Sequence, residues 1–326
     1  MLGTLSRVYI RVIRRFGLCL IALWGCCVAQ EEPHIRVDVR LVNVAFAVRD
    51  TAGHLLTNLT KDDFEVLDDG QPQAISYFAR SADLRLTLGL VVDVSGSQEH
   101  FVKQHEKDLE QFLRDVLTPR DRAFLLRFGN HLRLGCDFSS SPEELVDGLR
   151  GQSKSFRKRD GAEYPEIVPD LREGGTAYYD ALYYATMLKL ASAEGPRKAI
   201  VMFSDGEDNS SAHHMLDVIE AAQRENVILF GLRYTETARG GRLTARNRYG
   251  ISVMARLARD TGGLDFDAQK ANLHDSFQAI GEQLRSSYEL AYHSTVPSDG
   301  TFHKLVIRAK KPGLIVRTKT GYFGRQ

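Results

Sequence analysis

The stretch Leu86–Ser97, LTLGLVVDVSGS, opens as an almost unbroken apolar run and turns polar within five residues. An apolar run without alternation predicts a strand buried on both faces, as in a parallel sheet covered by helices. Its end sets Asp93, Ser95 and Ser97 at every second position, where strand gives way to loop. Open parallel sheets bind ligands beyond the carboxyl ends of their strands, so one carboxylate and two hydroxyls here mark a candidate site.

Outward from this strand, the pattern alternates between helices and strands. QEHFVKQHEKDLEQFLRDVL has helical spacing of Phe101, Leu109, Phe112 and Leu113. DRAFLLRFG and LRLGCDF flank Gly129-Asn130 as a hairpin, and PEELVDGLRG is a short helix opened by Ser141-Pro142. A helix is expected from about Ala177 to Ala193, then the strand KAIVMFSD, the helix MLDVIEAAQREN and the strand VILFGLRYT. After a Gly/Arg-rich loop, ISVMARLARDTGG reads as a helix ended by Gly262-Gly263, followed by a short strand and the helix LHDSFQAIGEQLRSS. This alternation predicts an α/β fold with a doubly wound, mostly parallel, Rossmann-like sheet.

The two chain ends read differently. IRVDVRLVNVAFAVRD alternates apolar and polar residues, and Asp69-Gly70 is a hairpin dipeptide between two further runs. SYELAYHST, FHKLVIRAK and LIVRTKTGYF restore the strand pattern at the far end. Each terminal piece is thin for a core of its own. The expectation is one small β-sandwich-like domain built from residues 30–83 and 286–326, with an α/β domain over 84–285 inserted into it.

Two further polar loops belong at the same sheet edge as Asp93. EGGTAYYD carries Thr176 before a helix, and SDGEDN carries Asp205 after the apolar strand AIVMF. Asp93, Ser95, Ser97, Thr176 and Asp205 together offer only oxygen, the donor that hard divalent cations select. Two carboxylates balance a dication and the hydroxyls add no charge, which leaves the metal electrophilic towards a carboxylate from another molecule. Magnesium or manganese is the expected ion.

With these three elements the sequence resembles the von Willebrand factor A-domain family and its metal-ion-dependent adhesion site. That motif is Asp-x-Ser-x-Ser on the first loop, Thr on the second and Asp on the third, matched by Asp93, Ser95, Ser97, Thr176 and Asp205 over about residues 84–285. The resemblance implies a non-enzymatic module that captures an Asp or Glu of a protein partner through the bound cation. The flanking phrases VRLVNVAFAVRD, LTKDDFEVLDDG and KPGLIVRTKTGYFG are similar to those of bacterial exported proteins that carry this domain, which supports the inserted arrangement.

Residues 1–29 hold Arg7, Arg11, Arg14 and Arg15, no acid, and the apolar run FGLCLIALWGCCVA, the pattern of a signal peptide. Three readings stay open: cleavage after Ala29, lipidation of Cys26 in LWGC, or an uncleaved membrane anchor. All three place the protein outside the cytoplasm: periplasmic, secreted or bound to the cell envelope. The whole chain has a net charge of +1, and the residues after the leader carry 39 basic and 42 acidic side chains. Such a balance argues against nucleic acid as a partner. Cys19, Cys26 and Cys27 lie in the leader, so Cys136 stands alone in the body and no disulfide framework is expected.

The remaining features have plainer readings. The ten histidines are scattered and read as solvated, and Asp62, Asp63, Glu65, Asp68 and Asp69 lack calcium-loop spacing and read as turn and surface. The sequons at Asn58 and Asn209 are chance matches. Most of Tyr178, Tyr179, Tyr183 and Tyr184 read as packing, with Tyr178 or Tyr179 at the border of the site. Arg157, Lys158, Arg159, Arg239, Arg242, Arg246 and Arg248 lie in two loops that offer a basic rim to acidic ligands. Two other functions stand beside capture: an envelope scaffold indifferent to metal, and a metal-assisted hydrolase with Glu207 or Asp208 as base.

Overall fold

The computed structural model describes residues 40–80, 85–129, 131–150, 175–195, 197–237, 241–285, 287–296 and 299–324. The leader with Cys26, and Arg157, Lys158, Arg159 and Arg239 of the rim, lie outside them. The chain begins with β1 (Arg40–Arg49), β2 (Phe64–Asp68), β3 (Gln71–Gln73) and β4 (Ile75–Arg80). It continues through β5 (Leu86–Asp93), α1 (Val102–Val116), β6 (Arg122–Phe128), β7 (Leu132–Ser139), α2 (Pro142–Arg150) and α3 (Tyr178–Tyr184). Then come β8 (Arg197–Ser204), α4 (Met215–Arg224), β9 (Val227–Arg233), α5 (Ala245–Thr261), β10 (Asp265–Asp267) and α6 (Leu273–Arg285). It closes with β11 (Tyr288–Ser294), β12 (Phe302–Ala309), β13 (Ile315–Thr318) and β14 (Gly321–Phe323).

Strands β5 to β10 form one six-stranded sheet in the order β10-β9-β8-β5-β6-β7, parallel except for the β6–β7 hairpin. All eight residues of β5 are buried, because the strand is central and both faces are covered. Leu86, Leu88, Leu90 and Val92 face a layer that includes Phe112 of α1, Leu145 of α2 and Ile280 of α6. Val91 faces the opposite layer, with Leu182 of α3, Val218 of α4 and Met254 of α5. Period-two alternation along a wholly apolar strand thus feeds two cores at once.

The chain ends interleave in two antiparallel sheets, β13-β1-β11-β4 and β14-β12-β2-β3. Their facing sides share one core containing Val44, Phe46, Phe64, Tyr288, Leu305 and Ile307. Phe46 and Phe64 meet edge to face at 5.0 Å, and Tyr288 stacks on Phe46 at 5.4 Å. The protein is thus an α/β fold with added antiparallel β-structure.

Where the two parts of this unit meet, the β13–β14 turn lies against the ends of α4 and α5. Lys319 donates to Gln223 O at 3.0 Å and Asn226 Oδ1 at 2.6 Å, Thr320 N donates to Asp260 O at 3.1 Å, and Arg317 donates to Gly263 O at 3.0 Å. Among the described residues no helix is long and apolar enough to cross a membrane.

Three expectations need correction. The helix expected over Ala177–Ala193 keeps α geometry only through Tyr184 and continues as a π turn over Ala185–Leu190. The helix expected from Ile251 begins earlier, at Ala245, because the Thr244 hydroxyl caps it by accepting from Asn247 N at 3.0 Å. Half of the Gly/Arg-rich loop is therefore helix. Solvated histidines and a surface acidic run fail at His105, His303 and Asp68, which are 0%, 3% and 0% exposed. Each occupies an inward position in its element, which residue type alone does not disclose.

Candidate metal centre

Strand β5 has β8 on one side and β6 on the other, so the chain winds away from it in both directions. The crevice past its carboxyl end is the topological switch point of the sheet. Asp93 is the last residue of β5, and Ser95 and Ser97 lie at the start of the short 3-10 helix Gly96–Phe101. Asp93 Oδ1 accepts from Ser95 N at 2.9 Å, which folds the first loop over its own carboxylate. Asp93 Oδ2 accepts from Ser204 Oγ at 2.6 Å, which joins it to the end of β8.

Asp205 follows directly. Its Oδ2 accepts from Ser97 Oγ at 3.0 Å and from Gln98 Nε2 at 3.0 Å, and its Oδ1 accepts from Glu207 N at 3.0 Å. Ser95 Oγ and Ser97 Oγ are 3.3 Å apart. The structure thus brings Asp93, Ser95, Ser97 and Asp205 into one continuous oxygen cluster.

Thr176 reaches this edge through its backbone. Its N–H donates to Asn209 Oδ1 at 2.6 Å, and its carbonyl accepts from Asn209 N and Ser210 N at 3.1 and 3.2 Å. Ala177 N donates to Gly129 O at 2.7 Å, beside the Ser95 backbone. The approach requires Gly175, whose φ is +106° and whose missing Cβ would meet Asn209 Oδ1 at 2.5 Å. The second loop is therefore laced to the third and held next to the first.

Burial, and then the nearby Asp205 carboxylate, push Asp93 up to about 7, against the opposing pull of the Ser204 and Ser95 hydrogen bonds. Glu207 is raised by burial and by Asp205, while Arg246 opposes. Two carboxylates sharing a dry crevice repel, and a dication placed between them would remove the repulsion. An all-oxygen donor set with two carboxylates and three hydroxyl residues fits a hard ion such as magnesium or manganese.

The order of strands, the three converging loops and this donor set decide the architecture. The fold is a doubly wound, mostly parallel α/β sheet with its polar site at the switch point. Solved structures similar to the chain include the conserved hypothetical protein BatB from Bacteroides thetaiotaomicron, at 16% identity and a TM-score of 0.44, covering 62% of this chain and 100% of that one. An aerotolerance-related membrane protein from Bacteroides fragilis matches at 15% identity and a TM-score of 0.42, covering 61% of this chain and 98% of that one. Proximal thread matrix protein 1 from the mussel byssus, with its metal-ion-dependent adhesion site occupied by zinc, matches at 10% identity and a TM-score of 0.42. That match covers 64% of this chain and 50% of the mussel protein. No family model matches the chain, and no curated protein does.

Several residues around this centre lie outside the motif. Ser204, Gln98 and Asn209 each hold a ligand candidate or its loop in place. Only Ser204, adjacent to Asp205 at the end of an apolar strand, carried a positional signal. Asp208 accepts from Tyr179 N at 3.1 Å and from the Ser211 hydroxyl. Asp180 accepts from Ala212 N and His213 N at 3.0 and 2.9 Å, which fixes the far side of the third loop. Tyr178 is fully buried, whereas Tyr179 is 6% exposed and its hydroxyl lies 3.4 Å from that of the exposed Tyr249.

Of the described rim residues, Arg242, Arg246 and Arg248 are all exposed. Arg246 Nε lies 2.5 Å from Glu207 Oε2, two residues from Asp205, and Arg248 donates to Leu243 O at 2.9 Å. Both carboxylates considered as a catalytic base are thus engaged, Glu207 by Arg246 and Asp208 by the third loop itself.

Proposed function

We propose that this protein is an exported binding module that captures an acidic residue of a protein partner through a divalent cation. The cation, magnesium or manganese, would be held by Asp93, Ser95, Ser97, Thr176 and Asp205, some directly and some through water. Bound there, it supplies a Lewis-acidic position open to a carboxylate. The observation that carries this reading is the oxygen cluster in which Ser97 bridges to Asp205 while Ser204 bridges to Asp93. It lies at the one sheet edge where an α/β fold presents ligands.

The chain's own residues divide the work. Asp93 and Asp205 provide charge, the serines and Thr176 provide neutral oxygen, and Gln98 holds Asp205 from below by bridging it to Tyr234 O at 3.1 Å. Arg246 stands at the border, exposed and paired to Glu207, where it can meet the flank of an acidic ligand. The basic residues around it would speed encounter more than they would tighten the complex. A capture role also agrees with the engagement of Glu207 and Asp208, since a hydrolytic base must be free to take a proton from water.

The test is calorimetric titration of magnesium and manganese into the purified protein and its Asp93→Ala variant. Wild type should bind one ion at this centre and Asp93→Ala none, with the fold unchanged by circular dichroism. Capture of an acidic partner should then vanish with chelator. Metal-independent capture by a folded Asp93→Ala protein would overturn the reading in favour of a scaffold.

A further inference from the structure

We propose that Asp68, Asp69 and His303 form a second divalent-cation site, of mixed nitrogen and oxygen character, suited to zinc. It lies in the antiparallel β-structure, in sheet β14-β12-β2-β3, and is independent of the centre described above. One ligand atom from each of the three residues lies within 4.8 Å of the other two.

Asp68 ends β2 and is wholly buried. Its Oδ2 accepts three hydroxyls, from Tyr292 at 3.1 Å, Ser294 at 2.7 Å and Tyr322 at 2.6 Å. Its Oδ1 makes no hydrogen bond. A buried carboxylate with one oxygen saturated by neutral donors and the other bare lacks what its charge calls for, a cation. Three O–H groups on one oxygen fix the orientation of the other, the usual arrangement around a ligating carboxylate.

His303, on β12, is 3% exposed and supplies the nitrogen. Its Nδ1 lies 2.8 Å from Asp69 Oδ2, while its Nε2 makes no hydrogen bond although Asp299 Oδ1 is 3.5 Å away. Asp69 occupies a left-handed turn position at φ +48°, and its Oδ1 accepts from Lys304 N at 2.7 Å, so its carboxylate is held facing the imidazole. Two of the three side chains in the cluster, Asp68 and His303, are thus more than nine-tenths buried and each carries a ligand atom without a hydrogen bond.

An imidazole with two carboxylates suits zinc better than magnesium, which avoids nitrogen. Zinc with bonds near 2.0–2.1 Å sets neighbouring donors about 3.3 Å apart, within a side-chain rotation of the spacing here. Three protein ligands leave a fourth position for water or for Asp299. Because β2 comes from the front of the chain and β12 from the back, the ion would join the two ends of the sequence across one sheet.

The experiment is a zinc titration of the full chain carrying Asp93→Ala and Asp205→Ala, which disables the first centre. One zinc per chain should bind, magnesium should not replace it, and Tm should rise by roughly 5 °C at a hundredfold excess over Kd. His303→Gln added to this background should weaken binding by at least tenfold and abolish the rise. Asp69→Asn, at the half-exposed turn, should do the same if the histidine variant does not fold. If the background variant itself does not fold, wild type should lose one of its zinc ions on Asp69→Asn. Zinc binding unchanged by both substitutions, or no zinc binding by the folded background protein, would overturn the proposal and leave an ordinary histidine–carboxylate pair.

Discussion

Asp93 carries two opposing demands. It must be buried to end the central strand, and it must be ionised to hold a cation. With its carboxyl held at about 7 rather than 3.8, the metal-free folded chain keeps a proton there that the unfolded chain releases. Stability from this group is therefore full at low pH, falls as pH rises from about 4 towards 7, and stays low above. Asp93→Asn removes that dependence, and at pH 8 the metal-free variant should exceed wild type by roughly 1–3 kcal/mol in urea unfolding. Saturating magnesium should stabilise wild type and leave the variant unmoved.

At the residue scale the sequence was most legible where chemistry sits on a strand end. Asp93, Ser95, Ser97 and Asp205 were readable because an apolar run terminates beside each loop. His105 was not. It lies inside α1 at 0% exposure, with its ring 4.3 Å from Tyr234, and burial pushes its imidazole down to about 3, so it packs as a neutral aromatic. Nothing in a histidine's identity separates that role from a solvated one. Asp68 was misread for the same reason, since its three hydroxyl donors come from residues more than 220 positions away.

Helix α5 shapes the centre without contributing a ligand. Gly250 lies against the third loop so closely that an added Cβ would meet Asp205 O at 2.4 Å. Gly250→Ala should therefore shift the Asp205 loop, destabilise the fold by roughly 1–3 kcal/mol and weaken metal binding. Chemical unfolding and the same calorimetric titration would read the two effects. No change of a neighbouring side chain relieves this contact, because the obstacle is backbone.

At the other end of the same layer, Lys319 is buried at the carboxyl end of α4, and burial pulls its ammonium down to about 7 from 10.5. Between these values the unfolded chain binds the proton and the folded chain does not, so stability should rise with pH from about 7 to about 10. Lys319→Met should lack that rise in paired denaturation curves. Element order and type followed from periodicity. The early start of α5 did not, because a single cap at Thr244 outweighed the Gly/Arg-rich composition before it.

On the scale of the whole molecule, the α/β pattern was legible because parallel strands announce themselves as apolar runs separated by helical spacing. The antiparallel ends were legible as strands of one shared β-unit, but the register of their pairing was not. Pairing between residues such as Phe46 and Tyr288 depends on three-dimensional return of the chain, which local alternation does not encode. The seam through Lys319, Thr320 and Arg317 is likewise silent in the sequence, since its acceptors are mainly backbone carbonyls at helix ends.

Strand β11 is flanked by β1 and β4, and Tyr288, where the chain returns from the α/β part, pairs with Arg80, where it left. Departure and return are thus side by side. Tension drawn through the α/β part enters β11 at one end and runs along its length against β1, from Phe46 opposite Tyr288 to Arg40 opposite Ser294. That ladder is loaded in shear, with its hydrogen bonds resisting together and not peeling one by one. A load on the α/β part would therefore be borne along the strands of the β-structure and not across them.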